Sequence, residues 1–298
     1  MKKLKAYMLP IAIVLGFLFH NVAAMNVPLI PYIIFTILLL NFTAVNIREL
    51  KLGKLDVVIM AFQTFASLSA YLLVKWLSGS EVLAQGAMIV ILCPVAAAVV
   101  VVSSELGADR RLTTGYTIYG NLLVTVIAPI YFSFIGTNQD MPFFESAWLI
   151  FKRISSVIAL PFVVAFALQL FAPKLNTALS KFKQWSFPLW GVVLFISLGK
   201  TIHNVFLFHQ GNKLTIVHLF ILAAVVCTLQ FAIGKRVGEH YGDRIAGGQL
   251  MGQKNGAIGI WMVAVYLQPL ASVALACYAI SQNIFNSYQL WRHQKRQK

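Results

Sequence analysis

The chain has 298 residues, 59% of them hydrophobic and only 11% charged, with a mean hydropathy of +0.78. Soluble domains carry about 25% charged residues, so this composition excludes a soluble globular protein and reads as a polytopic membrane protein. A formal net charge of +15 would suggest nucleic acid in a soluble protein, but here the basic residues sit in short loops and tails between apolar runs. That is the positive-inside pattern, and no nucleic-acid partner is expected.

A helix needs about 20 apolar residues to cross a bilayer. Ten such segments are predicted, at roughly 7–23, 28–46, 56–77, 82–103, 112–135, 147–171, 186–207, 214–234, 244–266 and 270–291. The first follows a basic start, MKKLKAY, and has the outline of a signal peptide. It is read as a retained helix because it has a counterpart later in the chain. The fourth contains ILCPV, with Pro94 in its interior, where proline removes a backbone donor and clashes with the preceding turn. The fifth opens with TTGYTIYGN (113–121), unusually polar for a membrane helix. Thr113 and Thr117 share a face there. Their hydroxyls either serve a site or bond back to their own helix, and Tyr116, Tyr119 and Asn121 could face a cavity. His203 and His209, near the outer end of the seventh segment, read as interfacial. The ninth carries GGQLMGQKNGAIG (247–259), polar and glycine-rich. Cys93, Cys227 and Cys277 lie in apolar segments without CxxC spacing, so they read as packing residues.

With the N-terminus inside, eighteen Lys and Arg fall on the inner side and five on the outer side or edge, leaving Lys254. This bias predicts both termini in the cytoplasm and an even number of spans. Short loops point to a prokaryotic inner membrane.

LPIAIVLGFLF (9–19) aligns with LPFVVAFALQL (160–170), and PLIPYIIFTI (28–37) more weakly with PLWGVVLFIS (188–197). Two five-helix repeats follow, residues 1–146 and 147–298, forming one integral membrane unit. Five is odd, so the second copy enters from the opposite face. The predicted fold is therefore all-α, with ten transmembrane helices in a five-plus-five inverted-topology repeat, an architecture of secondary transporters. In such folds corresponding helices are broken near the midplane, and the fourth and ninth segments carry the breaker residues. A proline kink and a glycine-lined helix contact are the plainer readings. Gln249, Gln253, Lys254 and Asn255 would be costly against lipid, which favours a crossover.

At these residues the chain resembles the bile acid:sodium symporter family over essentially its whole length. The fourth helix of that family carries Cys-Pro-Gly-Gly-Thr-x-Ser-Asn; here the stretch is Cys93-Pro94-Val95-Ala96-Ala97-Ala98-Val99-Val100. The ninth typically carries Glu-x-Gly-x-Gln-Asn-Ser-Gly; here it is Gln249-Leu250-Met251-Gly252-Gln253-Lys254-Asn255-Gly256. The resemblance places the polar pair of the fifth helix on Thr113 and Thr117, the third-helix glutamine on Gln63, and a polar pair of the tenth on Gln282 and Asn283. It implies paired sodium ions among the Ser-Asn, the hydroxyls, the glutamine and the ninth-helix Glu and Gln. This chain has valines at 99 and 100 and glutamine at 249. The oxygen ligands that remain for a hard cation are neutral: Gln63, Thr113, Thr117, Gln249, Gln253 and backbone carbonyls.

The nine acids all fall in loops or at helix ends, so no carboxylate is expected deep in the membrane. Lys254 is the one charge expected at depth. A membrane charge costs about 2.5–3.5 kcal/mol on insertion scales and is a functional suspect by default. Lys254 is expected to supply the positive charge that sodium supplies in the family, or to carry a proton, since burial disfavours a charged amine. The plainer reading is a lysine snorkelling to the surface. The expected activity is secondary transport of a small organic anion, sodium-independent or proton-linked, with no cofactor. Sodium coupling through the neutral ligands is the alternative. A non-transporting sensor on the same fold is the alternative of another class. No HExxH, GxSxG or intramembrane acid pair supports an enzyme.

Overall fold

No water is available in a bilayer to satisfy backbone groups, so an apolar chain must bond to itself, and a helix does so within one segment. The structure, a computed structural model, describes residues 2–46, 50, 52–96, 98–136, 141–208 and 213–297, with the backbone alone for 2–7, 9, 296 and 297. Ala97 and His209 lie outside the described residues. The helices are α1 (Lys2–Leu18), α2 (His20–Met25), α3 (Ile30–Thr43), α4 (Lys54–Ser78), α5 (Glu81–Leu92), α6 (Val99–Glu105), α7 (Arg110–Ile135), α8 (Phe143–Phe171), α9 (Pro173–Ser180), α10 (Ser186–Phe208), α11 (Lys213–His240), α12 (Arg244–Gly252), α13 (Gly256–Tyr266) and α14 (Ser272–Gln297). Among the described residues five helical stretches are long and apolar enough to cross a membrane: Lys54–Ser78, Arg110–Ile135, Phe143–Phe171, Pro173–Phe208 and Lys213–His240. Val27–Thr43, Glu81–Leu92 and Gly256–Tyr266 are apolar but shorter.

Every predicted apolar segment is helical, with local differences. The first divides at Phe19 into α1 and α2, and the last runs on to Gln297 rather than stopping near 291. The fourth and ninth are each interrupted, the fourth between Leu92 and Val99 and the ninth between Gly252 and Gly256.

The outer surface is that of a protein solvated by lipid. Phe65, Trp76, Phe134, Phe144 and Phe171 point outward, while Gln63, Asn121, Gln230, Gln249 and Lys254 are buried. The helices pack in two groups, which are joined where α8 packs against α7. In one, α1, α2 and α3 lie against α10, and α3 also against α8; in the other, α4, α5, α7 and α11–α14 pack together, with α6 against α7 and α12. Each group draws on both halves of the chain.

The hairpin from α4 to α5 shows how the sequence closes its turns. Gly79 takes φ +66°, a conformation an L side chain rarely adopts, and ends α4. Ser80 then caps α5 by accepting from the Leu83 amide at 3.3 Å. Glu81 ties both helices, pairing with Lys75 at 2.9 Å and accepting from the Tyr71 hydroxyl at 2.8 Å.

Candidate functional site

The two interruptions meet. Val95 and Lys254 form an antiparallel bridge, the Asn255 amide donates to the Pro94 carbonyl at 2.7 Å, and the Ala96 amide donates to the Gln253 carbonyl at 3.3 Å. Local chemistry explains both breaks. Proline forces the residue before it out of the helical region, and Cys93 is extended at ψ 136°. In the second break Asn255 starts the next half-helix by accepting from the Ile258 amide at 3.4 Å. Gly259 lets α13 approach closely: a Cβ there would lie 2.8 Å from the Cys93 sulfur.

A helix that ends inside a membrane leaves carbonyls that must find partners. At the end of α5 each one does. The Cys93 amide donates to Ile89 at 2.9 Å, and Gln230 Nε2 donates to Val90 at 3.2 Å. Lys254 Nζ donates to Ile91 at 2.8 Å, and Gln63 Nε2 donates to Leu92 at 2.7 Å and Cys93 at 3.1 Å. At the end of α12 the Tyr278 hydroxyl donates to the Gly252 carbonyl at 2.8 Å. Gln282 reads the backbone of Lys254 as a neighbouring strand would: Oε1 accepts from its amide at 2.8 Å and Nε2 donates to its carbonyl at 3.1 Å.

Lys254 is 3% exposed, so it does not snorkel to the surface. Among the described residues the ion pairs are Lys75 with Glu81 and Arg244 with Glu239, and neither involves Lys254. The ammonium therefore rests on the carbonyl end of a half-helix, where the peptide dipoles favour positive charge. The Cys93 thiol donates to the Asn255 carbonyl at 3.0 Å, so this cysteine helps bind the two breaks together.

The other residues singled out from the sequence fall in three places. Gln63, Pro94, Gln253, Lys254, Asn255 and Gln282 converge on the crossing. Gln249 joins its edge: Gln253 Nε2 donates to Gln249 Oε1, and Gln249 Nε2 to Gln289 Oε1 at 3.4 Å. Thr113, Thr117 and Asn283 turn back on their own helices; Thr117 donates to the Thr113 carbonyl at 2.7 Å and Asn283 to Ala279 at 2.6 Å. Val99 is buried with Val95, Tyr116 and Leu250, and Val100 packs against the same cluster.

Tyr116, expected only as a possible cavity residue, takes part in the crossing, and Gln230 and Tyr278 were not singled out at all. The Tyr116 hydroxyl donates to Gln63 Oε1 at 2.9 Å. Gln230 and Tyr278 close the remaining half-helix ends and bond to each other at 3.1 Å. A glutamine in an apolar helix was the available signal for Gln230; nothing local marks Tyr278. Among the described residues no group of three or more His, Cys, Asp or Glu side chains is gathered where it could hold a metal ion.

One acid at a helix end is covered by protein. Asp56 stands at the start of α4, as expected of an acid at a helix end, yet it is completely buried. A helix-end position does not guarantee solvent when other elements cover it. Here α7 and α12 pack against α4.

No curated protein matches the chain. Residues 2–207 match the family model described as the Sodium Bile acid symporter family. That match spans more than half of the sequence and includes α4, α5 and the first of the two breaks, so the chain belongs to the sodium bile acid symporter family.

Proposed function

We propose that this integral membrane transporter carries a small organic anion without sodium, or in exchange for a proton, and that Lys254 fills the cation role at the crossing. The observation that carries this reading is the buried Lys254 ammonium on the Ile91 carbonyl at 2.8 Å. A charge held in a membrane without a counter-charge is expensive, and a purely structural cap would be met by a neutral donor, as Gln63 does one residue later. The departures at Val99, Val100 and Gln249 agree, since they remove oxygen ligands that a hard cation needs. Thr113 and Thr117 already donate to their own helix.

The anion is inferred from charge. The fixed ammonium lies beside the crossing, and the amide end of α13 favours negative charge. At the far end of α13 a cavity of about 520 Å³ is lined by Leu149, Lys152, Arg153, Val265 and Tyr266. Two cations beside an apolar wall suit an amphipathic carboxylate or sulfonate.

The architecture we propose is ten spans in an inverted repeat of 1–146 and 147–298, with both termini cytoplasmic in a prokaryotic inner membrane. The pairing of two broken helices and the mixing of both halves within each packing group support it. Transport would follow from one group moving against the other around the crossing. Family membership favours a second reading, a sodium-coupled symporter using Gln63, Thr113, Thr117, Gln249 and Gln253.

Thermal stability of the purified protein in sodium and in choline separates the two. A ligand that binds the folded state raises the melting point by mass action. The proposal expects the same melting point in both salts. A clear rise in sodium would establish the second reading.

A further inference from the structure

Among the described residues Asp56 is the one buried acid, and the crossing does not use it. It is 0% exposed. Its Oδ2 accepts from the Gly53 amide at 2.9 Å, which starts α4. Its Oδ1 is buried and has no hydrogen-bond partner among the described residues. A cap on one oxygen explains why an acid stands here; it does not explain why the other oxygen is buried without a protein partner. Burying an unpaired carboxylate is so unfavourable that such a group neutralises by taking a proton.

Two elements link Asp56 to the crossing. It lies seven residues before Gln63 in α4, on the same helix face. Tyr116 of α7 is buried in one cluster with Leu55, the neighbour of Asp56, and its hydroxyl donates to Gln63. Gln63 in turn holds the carbonyls of Leu92 and Cys93 at the end of α5. α4 packs against α5, α7, α11 and α12. Among the described residues Tyr116 is the titratable side chain buried in this cluster. Among the described residues no cation pairs with the carboxylate, which leaves a proton to neutralise it.

We infer that Asp56 is a proton-binding site, held as a neutral carboxylic acid in this conformation, and that its proton is the one exchanged during transport. The O–H bond forms at a carboxylate oxygen when water on one side delivers the proton. It breaks when the carboxylate is hydrated in another conformation and returns the proton to water. The inference rests on the proton-linked form of the function proposed above.

The test uses the whole protein in vesicles and begins with the proton alone. Infrared difference spectra would be recorded for wild type, Asp56→Asn and Glu145→Gln as the pH is lowered from neutral into the mildly acidic range. Asparagine mimics the neutral acid and retains an oxygen for the Gly53 amide, so the variant should fold; its melting curve checks this. The expected result is a protonated-carboxyl carbonyl band in wild type, kept in Glu145→Gln and absent from Asp56→Asn. A spectrum without an Asp56-dependent band overturns the site. Accumulation of labelled taurocholate driven by a pH gradient is then compared with its counterflow. Loss of accumulation with counterflow kept, at least tenfold apart, assigns the coupling to Asp56. Equal accumulation by Asp56→Asn and wild type overturns the coupling role. A sodium-dependent melting point in wild type would instead sink the functional proposal, whatever the infrared band shows.

Discussion

The Lys254 ammonium donates to the carbonyl of Ile91 across 2.8 Å, joining residues 163 positions apart in the chain. This bond places the charge of one broken helix on the exposed end of the other. Replacing Lys254 by Met removes the charge and leaves the Ile91 carbonyl without its donor. The expected loss is about 1–3 kcal/mol, the cost of one unsatisfied buried acceptor, because no buried counter-charge is stranded. Transport should fall at least tenfold while the protein still folds. Melting curves together with vesicle uptake check this, and a variant with full transport would remove Lys254 from the mechanism.

Gln63 is predicted to matter more for stability than a typical buried glutamine. It donates to Leu92 and Cys93 and accepts from Tyr116. Gln63→Ala breaks these bonds and should destabilise by about 2–4 kcal/mol, whereas Tyr116→Phe, which breaks one, should lose about 1 kcal/mol. Denaturant or thermal unfolding of both variants in one detergent gives the ranking. Equal losses would mean that the α5 end has other donors.

Gly259→Ala would place a Cβ 2.8 Å from the Cys93 sulfur and 2.7 Å from the Leu275 side chain. Overpacking of this kind costs about 1–3 kcal/mol. The variant should melt lower. Adding Cys93→Ala should recover part of the loss, because it clears the sulfur but not Leu275.

The missing oxygen ligands can be restored. Val99→Ser, Val100→Asn and Gln249→Glu, combined with Lys254→Asn, return the family residues to those positions. At sodium tenfold above its dissociation constant the folded state gains about 1.4 kcal/mol, so this variant should melt higher in sodium than in choline. The same melting point in both salts would show that Lys254 does not stand where a cation could bind.

Much of the fold was legible because membrane helices declare themselves by uninterrupted apolar length. The interruptions at Pro94 and at Gln253–Asn255 were legible too, since proline lacks a donor and a polar, glycine-rich run cannot face lipid. The orientation of individual polar side chains was not. Thr113 and Thr117 occupy positions that suit a site, yet their hydroxyls find nearer acceptors in their own helix. Tyr116, between them in sequence, is the residue that reaches Gln63.

By itself the sequence determined that the protein lives in a membrane, where its apolar helices lie, where two of them must break, and that Lys254 is exceptional. Those properties follow from backbone propensity and from the price of polarity in lipid, both local quantities. Tertiary structure alone decided that the two breaks meet, that Ile91 rather than an acid receives the lysine, and that Asp56 is covered. Partners and burial depend on which distant segments pack together, and side chains remote in the chain become neighbours only when the helices cross.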